Sequence, residues 1–466
     1  MKKHIYKFSK NAFLVFLLAL VFASCDKWID TDLNIDPDAP ADVPLNLMLP
    51  GIQQAMGYNL CGNDLVRTTN IWMQQFDGVS RQSYTEARYQ LLPGDVNNIW
   101  NNLYATILVN SATLIKKAEN TEGKNSPYNA GIGKVMMATT LGISTDLFGD
   151  MPFKEALKGD QNILTPKFDT QEKLYDTIRV MLDKAIADFS KPAAENLVAV
   201  KGDVIYSGDI AKWKKAAYAV KARHLLQLSS VKGNAAYTDA LAAAANGFTS
   251  NSDDMKVPWE SANKNPIFQF MEQRTDIRMG ATLVDLLKSI SDPRLPFYVA
   301  KDGGGSYTGS LIGSQNENAS KPGAYIAGEL APSYIITYAE QKFMEAEANF
   351  KLSKTTEAKA ALQEGVKASV TRVAGSAAFT QAWYDTNIGS KTLTLDLIMT
   401  QKYIATFGTN QAYADYRRVG LPVIPVPPGA ILPSMPTRYP YAQDEISYNG
   451  ANVPNVTISD KLWWDK

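Results

Sequence analysis

The sequence holds two cysteines and two histidines, and each scarcity removes a class of function. Cys25 sits at what reads as an export junction, which leaves Cys61 alone in the body and no internal disulfide to staple it. With His4 in the leader and His224 in the body, a His-rich zinc centre or a His-centred triad has almost nothing to be built from. Charge of one sign is also missing. Lys+Arg and Asp+Glu number 47 each, so there is no basic excess of the kind a nucleic-acid surface needs, and no nucleic-acid partner is expected. No G-x-S-x-G, H-E-x-x-H, Walker A or C-x-x-C pattern occurs. The apolar run Ala12–Phe22 is 11 residues, well short of the roughly 20 that span a bilayer.

That run has another reading. Lys2, Lys3, Lys7 and Lys10 precede it, and Ala23-Ser24-Cys25 follows before the chain turns polar. Basic start, apolar core and small residues are the order of a secretory signal. Small residues directly before a cysteine mark a bacterial lipobox, so residues 1–24 read as a cleaved signal peptide and Cys25 as the lipidated first residue of the mature chain. More than one acyl chain, at about 0.8 kcal/mol per buried methylene, holds a protein on a membrane. Residues 25–50 then read as the lipidated cysteine and an extended tether punctuated by Pro and Asp. Residues 51–466 read as one helical domain.

Helical period dominates that domain. Residues Ile52 to Gln75 read as helical. Leu103, Ile107 and Leu114 mark a helix over Val96–Ala118, with a partner from Tyr128 to Leu147. Leu174, Ile178, Met181, Ala185 and Phe189 mark another, paired with the face Ile210, Trp213, Ala217, Val220 and His224. Ile336 to Phe350 and Ala358 to Val370 form a third pair. Thr392–Phe407 with a short helix at Gln411–Arg417 forms a fourth. The fold class is mainly α: four antiparallel pairs of tetratricopeptide size as a core, with long irregular loops and a few short strands over it. The loop-rich insertions fall at about 231–332 and 420–466. Insertions on a rigid frame are where recognition residues collect.

At this point the chain resembles the SusD/RagB family of Bacteroidetes outer-membrane lipoproteins, nearest its SusD-like subgroup. LNIDPDAPADVP resembles the segment after the lipobox, and STDLFGDMPFKEAL the tail of the first helix pair. SYIITYAEQKFMEAEA resembles the helix opening the third pair. LIMTQKYIATFGTNQAYADYRRVGLP and TRYPYAQDEISYN resemble the C-terminal signature. The resemblance implies a lipid-anchored protein of the outer membrane, facing the cell surface. It implies binding without catalysis: an oligosaccharide, in some members a peptide, is handed to a SusC-like TonB-dependent transporter. Neither catalytic residues nor a bound cofactor are implied, though a structural calcium ion is left open.

A sugar surface needs flat aromatic faces for C–H groups and planar amides, carboxylates or guanidinium groups for hydroxyls. The stretch from Trp72 to Tyr89 has this mixture, with Trp72, Gln75, Arg81, Tyr84 and Arg88 as ligand-binding candidates. Trp259, and Tyr307 and Tyr325 beside the glycine-rich and NENASKPGAY loops, form a second set. Each also has a plain reading as core. His224 reads as a hydrogen-bonded core histidine, Arg417 and Arg418 as internal ion-pair partners, and Trp463 and Trp464 as anchors of the tail. A helical scaffold without a small ligand, and a surface hydrolase, are the alternative functions.

Overall fold

The computed structural model describes residues 43–120 and 125–465. The segment read as a signal peptide, Cys25 and the expected tether as far as residue 42 lie outside the described residues. Residues Leu45–Lys466 cluster as one compact unit.

The first helix, α1 (Leu45–Asn59), begins inside the segment expected to be extended and carries Pro50 within it. Leu45, Leu49, Ile52 and Met56 recur at steps of three and four and are all buried, so the apolar stripe outweighs the proline. The single helix expected from Ile52 to Gln75 is broken at Gly62, where a Cβ would lie 1.9 Å from the Tyr58 carbonyl oxygen. The chain restarts as α2 (Asn63–Trp72), followed by strand β1 (Phe76–Gly78) and the short helix α3 (Arg81–Ala87).

The first helix pair begins at Asn97. After a π-wound stretch at Asn102–Leu108 it continues as α4 (Val109–Asn120). Its partner α5 (Pro127–Phe148) starts with Pro127 in the first turn and stops at Gly149, whose φ is +80°. Almost every residue of α5 is buried, and its side chains are small. A Cβ on Gly131 would meet the Phe189 ring at 2.6 Å, and one on Gly133 would meet Ile115 at 2.8 Å. These glycines let neighbouring helices approach closely, so α5 packs against both α4 and the next pair.

Strands β2 (Met151–Pro152) and β3 (Phe168–Asp169) pair antiparallel before α6 (Gln171–Asp188) and α7 (Ile210–Gln227). The insertion expected to be irregular from 231 opens instead with α8 (Asn234–Ala244), which packs on α7. Its run of alanines buries little apolar bulk per turn, and so leaves a weak periodic signal. Strand β4 (Met255–Val257), helix α9 (Pro266–Gln273) and strand β5 (Ile277–Met279) follow. β5 pairs antiparallel with β1, setting Asp77 opposite Arg278. Strand β6 (Ser333–Ile336) pairs with β4 and leads into the third helix pair, α10 (Tyr338–Lys351) and α11 (Thr355–Ala374). Thr337 caps α10 by accepting from the Glu340 N–H at 3.1 Å.

The fourth pair, α12 (Leu395–Ala405) and α13 (Gln411–Val419), is the loosest. α12 packs chiefly on α10, and α13 on α2. Buried charges join them. Lys402 Nζ lies 2.8 Å from Asp415, and Arg418 donates to both Glu347 oxygens and to Asp415. Arg418 is therefore an internal ion-pair residue, as expected. Arg417 instead donates to the carbonyls of Asp146 and Thr437 and lies over the rings of Tyr413 and Trp464. Trp464 anchors the tail, fully buried, with its indole N–H on Asp146 at 3.0 Å. His224 is buried as expected, but neither ring nitrogen has a hydrogen-bond partner. Burial, and then Arg223, pushes its pKa down to about 3, so the ring is a neutral packing element.

Candidate ligand-binding cleft

The structure sorts the candidate residues by depth. Trp72 is fully buried, with its indole N–H on the Glu86 carbonyl at 3.0 Å and edge contacts to Tyr413 and Tyr439. Gln75 is fully buried and donates to the Tyr403 carbonyl at 2.8 Å. Trp259 is buried and donates to Ser333 Oγ at 3.0 Å. These three are buried core residues whose N–H groups donate inside the fold, though the Gln75 side-chain oxygen has no partner, so they support a surface without forming it. Tyr325 is half-buried and stacks on Tyr334, with ring centroids 5.8 Å apart. Tyr307 is half-buried, with the Lys301 ammonium 6.0 Å from its ring centroid.

Arg81 is exposed, and Tyr84 and Arg88 are half-buried beside it. Arg88 lies over the Tyr84 ring at 5.6 Å and donates to the Gly429 carbonyl at 2.8 Å. Backbone strain collects in the same stretch. Gln74, Arg81 and Tyr89 all hold positive φ, which a residue with a side chain adopts at a cost of about 1 kcal/mol or more.

A polar cleft of about 250 Å³ opens beside this stretch. Five segments wall it. Helix α1 contributes Tyr58, and α2 contributes Asn63, Asp64 and Arg67. The turn and helix after α3 add Asp95 and Asn98, α3 itself adds Gln82 and Glu86, and α9 adds Gln269, Phe270 and Gln273, with Arg274 just past its end. The floor is a buried ion pair. Arg67 Nη2 and Nε donate to the two Glu86 oxygens at 2.9 and 3.2 Å, and Nη1 donates to Asn63 Oδ1 at 2.7 Å. The guanidinium also lies over the Phe270 ring at 4.8 Å. Arg67 and Glu86 are matched to each other, Asn63 is spent between Arg67 and Asp64, and Asp95 Oδ2 accepts from the Leu92 N–H at 2.8 Å. The groups left for a ligand are the amides of Gln82, Asn98 and Gln273, the Gln269 side-chain oxygen, the Tyr58 ring, one oxygen each of Asp64 and Asp95, and Arg274. This is the mixture a hydroxyl-rich ligand needs.

Sequence reasoning missed most of these residues. Gln269 and Gln273 stand four apart on α9, one face of a helix, but they lie in a segment read as loop. A second cleft of about 560 Å³ is more apolar, with Trp100, Tyr104, Leu164 and Tyr448 among its walls and Asp444 and Glu445 on its edge. Burial pushes the carboxyls of Asp77, Asp146 and Asp254 up to about 6. None of the three lines the polar cleft. Among the described residues, no three His, Cys, Asp or Glu side chains come together to hold a metal.

The helix pairs and the short strands and helices over them match the fold of solved SusD/RagB structures. A SusD/RagB family protein from Bacteroides thetaiotaomicron aligns with a TM-score of 0.77 at 26% identity, covering 91% of this chain and 99% of its own. A chitin-binding protein aligns with a TM-score of 0.76 at 25% identity, covering 91% of this chain and 100% of its own. A chitin-binding SusD homolog from Flavobacterium johnsoniae, at 22% identity, shares the fold with a TM-score of 0.75, over 90% of this chain and 97% of its own. No curated protein matches the chain. Residues 37–442 match the SusD-like family described as starch-binding and associating with the outer membrane, and the chain belongs to that family. No helix among the described residues is long and apolar enough to cross a membrane.

Proposed function

We propose that this protein is a surface-facing lipoprotein of the outer membrane, anchored through Cys25, that binds a nutrient oligosaccharide and passes it to a SusC-like TonB-dependent transporter. The observation that carries the reading is the polar cleft. The amides of Gln82, Asn98 and Gln273, the side-chain oxygen of Gln269 (whose NH2 donates to the Lys264 carbonyl at 2.6 Å) and the Tyr58 ring suit hydroxyls and the C–H face of a sugar better than they suit an apolar peptide. The family's description points the same way. The protein works by binding, without turning over its ligand. A hydrolase would need two carboxylates with one held protonated, and the aspartates raised by burial stand outside the cleft.

Two experiments test it. The native protein is extracted from membranes in mild detergent and its companions are identified. A stoichiometric TonB-dependent barrel, lost when Cys25→Ala is introduced, is the expected result; a lipidated protein that emerges alone counts against the transporter role. Binding of oligosaccharides is then measured by calorimetry for the wild type and for Tyr58→Ala and Gln269→Ala. Both variants should weaken binding about tenfold while leaving the thermal midpoint in place. Undiminished affinity in both removes the cleft from the site.

A further inference from the structure

Asp276 lies in the short link between α9 and β5, its side chain 1% exposed, and neither carboxylate oxygen has a hydrogen-bond partner. A buried carboxylate in that condition is costly unless something else needs it there. Two guanidinium groups flank it. Arg81 Nη1 is 3.4 Å from one oxygen and Arg274 Nη1 is 3.9 Å from the other. Both arginines are open to solvent, at 65% and 49% exposure, so most of their donors are unspent. One carboxylate thus orients two forks without saturating either. The pairing of β1 with β5 explains the arrangement. Val79 N–H donates to the Asp276 carbonyl at 2.8 Å, which brings Arg81 on one strand's exit opposite Arg274 on the other's entry. Arg81 reaches this place at a φ of 50°, in the strained left-handed region. Arg274 lines the polar cleft, as does Gln82, the neighbour of Arg81.

We propose that Arg81 and Arg274 form an anion-recognition edge on the polar cleft, so that the saccharide taken there carries a carboxylate or sulfate group. Planar guanidinium forks match those anions bidentately, and Asp276 holds both forks without closing them off. Asp64 on α2 and Asp95 in the turn after α3 each engage one oxygen inside the fold and leave the other to accept from the hydroxyls of the same ligand. The proposal rests on the cleft's being the saccharide site.

The test uses calorimetry on the full chain in detergent. The acidic probes are a galacturonic-acid hexamer and a chondroitin sulfate hexasaccharide; the neutral probes are maltohexaose and chitohexaose. At low salt an acidic probe should bind more tightly than either neutral one. Arg81→Ala and Arg274→Ala should each weaken it by roughly tenfold to a hundredfold. The lysine variants should recover part of the loss, and high salt should weaken the wild type. Because each single variant leaves Asp276 one arginine, the thermal midpoint should hold. Failure of both acidic probes to bind, or binding that neither arginine variant changes, overturns the proposal. Gln269→Trp, which fills the cleft, separates the two levels of the argument. If acidic-probe binding is lost in Gln269→Trp and kept in the arginine variants, the cleft stands and the anion edge falls. If Gln269→Trp leaves all binding intact, the cleft itself is the wrong site.

Discussion

Replacing Arg67 by Ala should cost far more than an ordinary surface change, and the geometry says why. Arg67 and Glu86 are 5% and 1% exposed at their side chains. The guanidinium meets both carboxylate oxygens, at 2.9 and 3.2 Å. Removing it strands a buried carboxylate, which costs about 3–5 kcal/mol. The contact over the Phe270 ring, at 4.8 Å, adds roughly 1 kcal/mol. About 4 kcal/mol corresponds to roughly three orders of magnitude in the ratio of folded to unfolded protein. The double variant Arg67→Met with Glu86→Leu removes both charges and keeps the volume, so it should cost about 1–2 kcal/mol or less. Denaturant unfolding, followed by circular dichroism on the wild type, Arg67→Met, Glu86→Leu and the double, closes the cycle. The single variants should sum to far more than the double. Additive costs, or an Arg67→Ala loss under about 1 kcal/mol, would refute the view that the cleft floor is a mutually dependent ion pair.

Other outcomes follow from the same reasoning. Trp72→Ala should destabilise by about 3–5 kcal/mol, since it empties a fully buried site and removes one of the two donors to the Glu86 carbonyl, which keeps the Tyr89 N–H, while Tyr84→Ala should stay within about 0.5–1 kcal/mol; unfolding midpoints for the two decide whether the aromatic stretch is split by depth. Gly142→Ala places a Cβ 2.0 Å from His224 Cε1, so overpacking of about 1–3 kcal/mol should exceed the roughly 1 kcal/mol that alanine contributes to a helix. His224→Ala added to it should restore part of the loss, and no recovery would show that the ring is not the obstacle. Asp77, held up to about 6 by burial against the hydrogen bonds from Ser310 and Gly313, keeps its proton in the folded state where an unfolded carboxyl near 4 has lost it. Its contribution is therefore greatest below about pH 4, falls as pH rises to about 6, and is flat beyond. Asp77→Asn should remove that share of the slope, on the order of 2 kcal/mol, in denaturation midpoints taken across the window; an unchanged slope would show that Asp77 does not titrate there.

The helix pairs were legible because their signal is periodic and long. The stripe from Leu174 to Phe189 reads from sequence as a helix, and the structure gives Gln171–Asp188; the expected partner from Tyr128 to Leu147 is Pro127–Phe148. Punctuation was legible too, at Pro127 and Gly149. What failed to register was structure with a weak period. α8 is built on alanine, which has high helix propensity but little apolar contrast between faces. The start of α1 was hidden by Pro50, a residue that argues against a helix until the stripe around it is found to be buried.

The binding surface was less legible for a different reason. Sequence reasoning weighted aromatic residues, and burial claims most large aromatics before a ligand can. Trp72 and Trp259 obey that rule. The residues that line the cleft are instead amides and charges on the outer faces of α2 and α9, where an isolated Asn or Gln looks like any solvated side chain. Only folding brings Glu86 of α3 onto Arg67 of α2 and sets both beside Gln269 on α9. Arg81 is the exception, since it was singled out by its neighbours and is exposed. Its partner Asp276 lies 195 positions away along the chain, and the link between them is a strand pairing of three residues. A pairing that short carries no sequence period of its own, so the most chemically specific feature at the cleft's edge is also the one that the sequence was least able to announce.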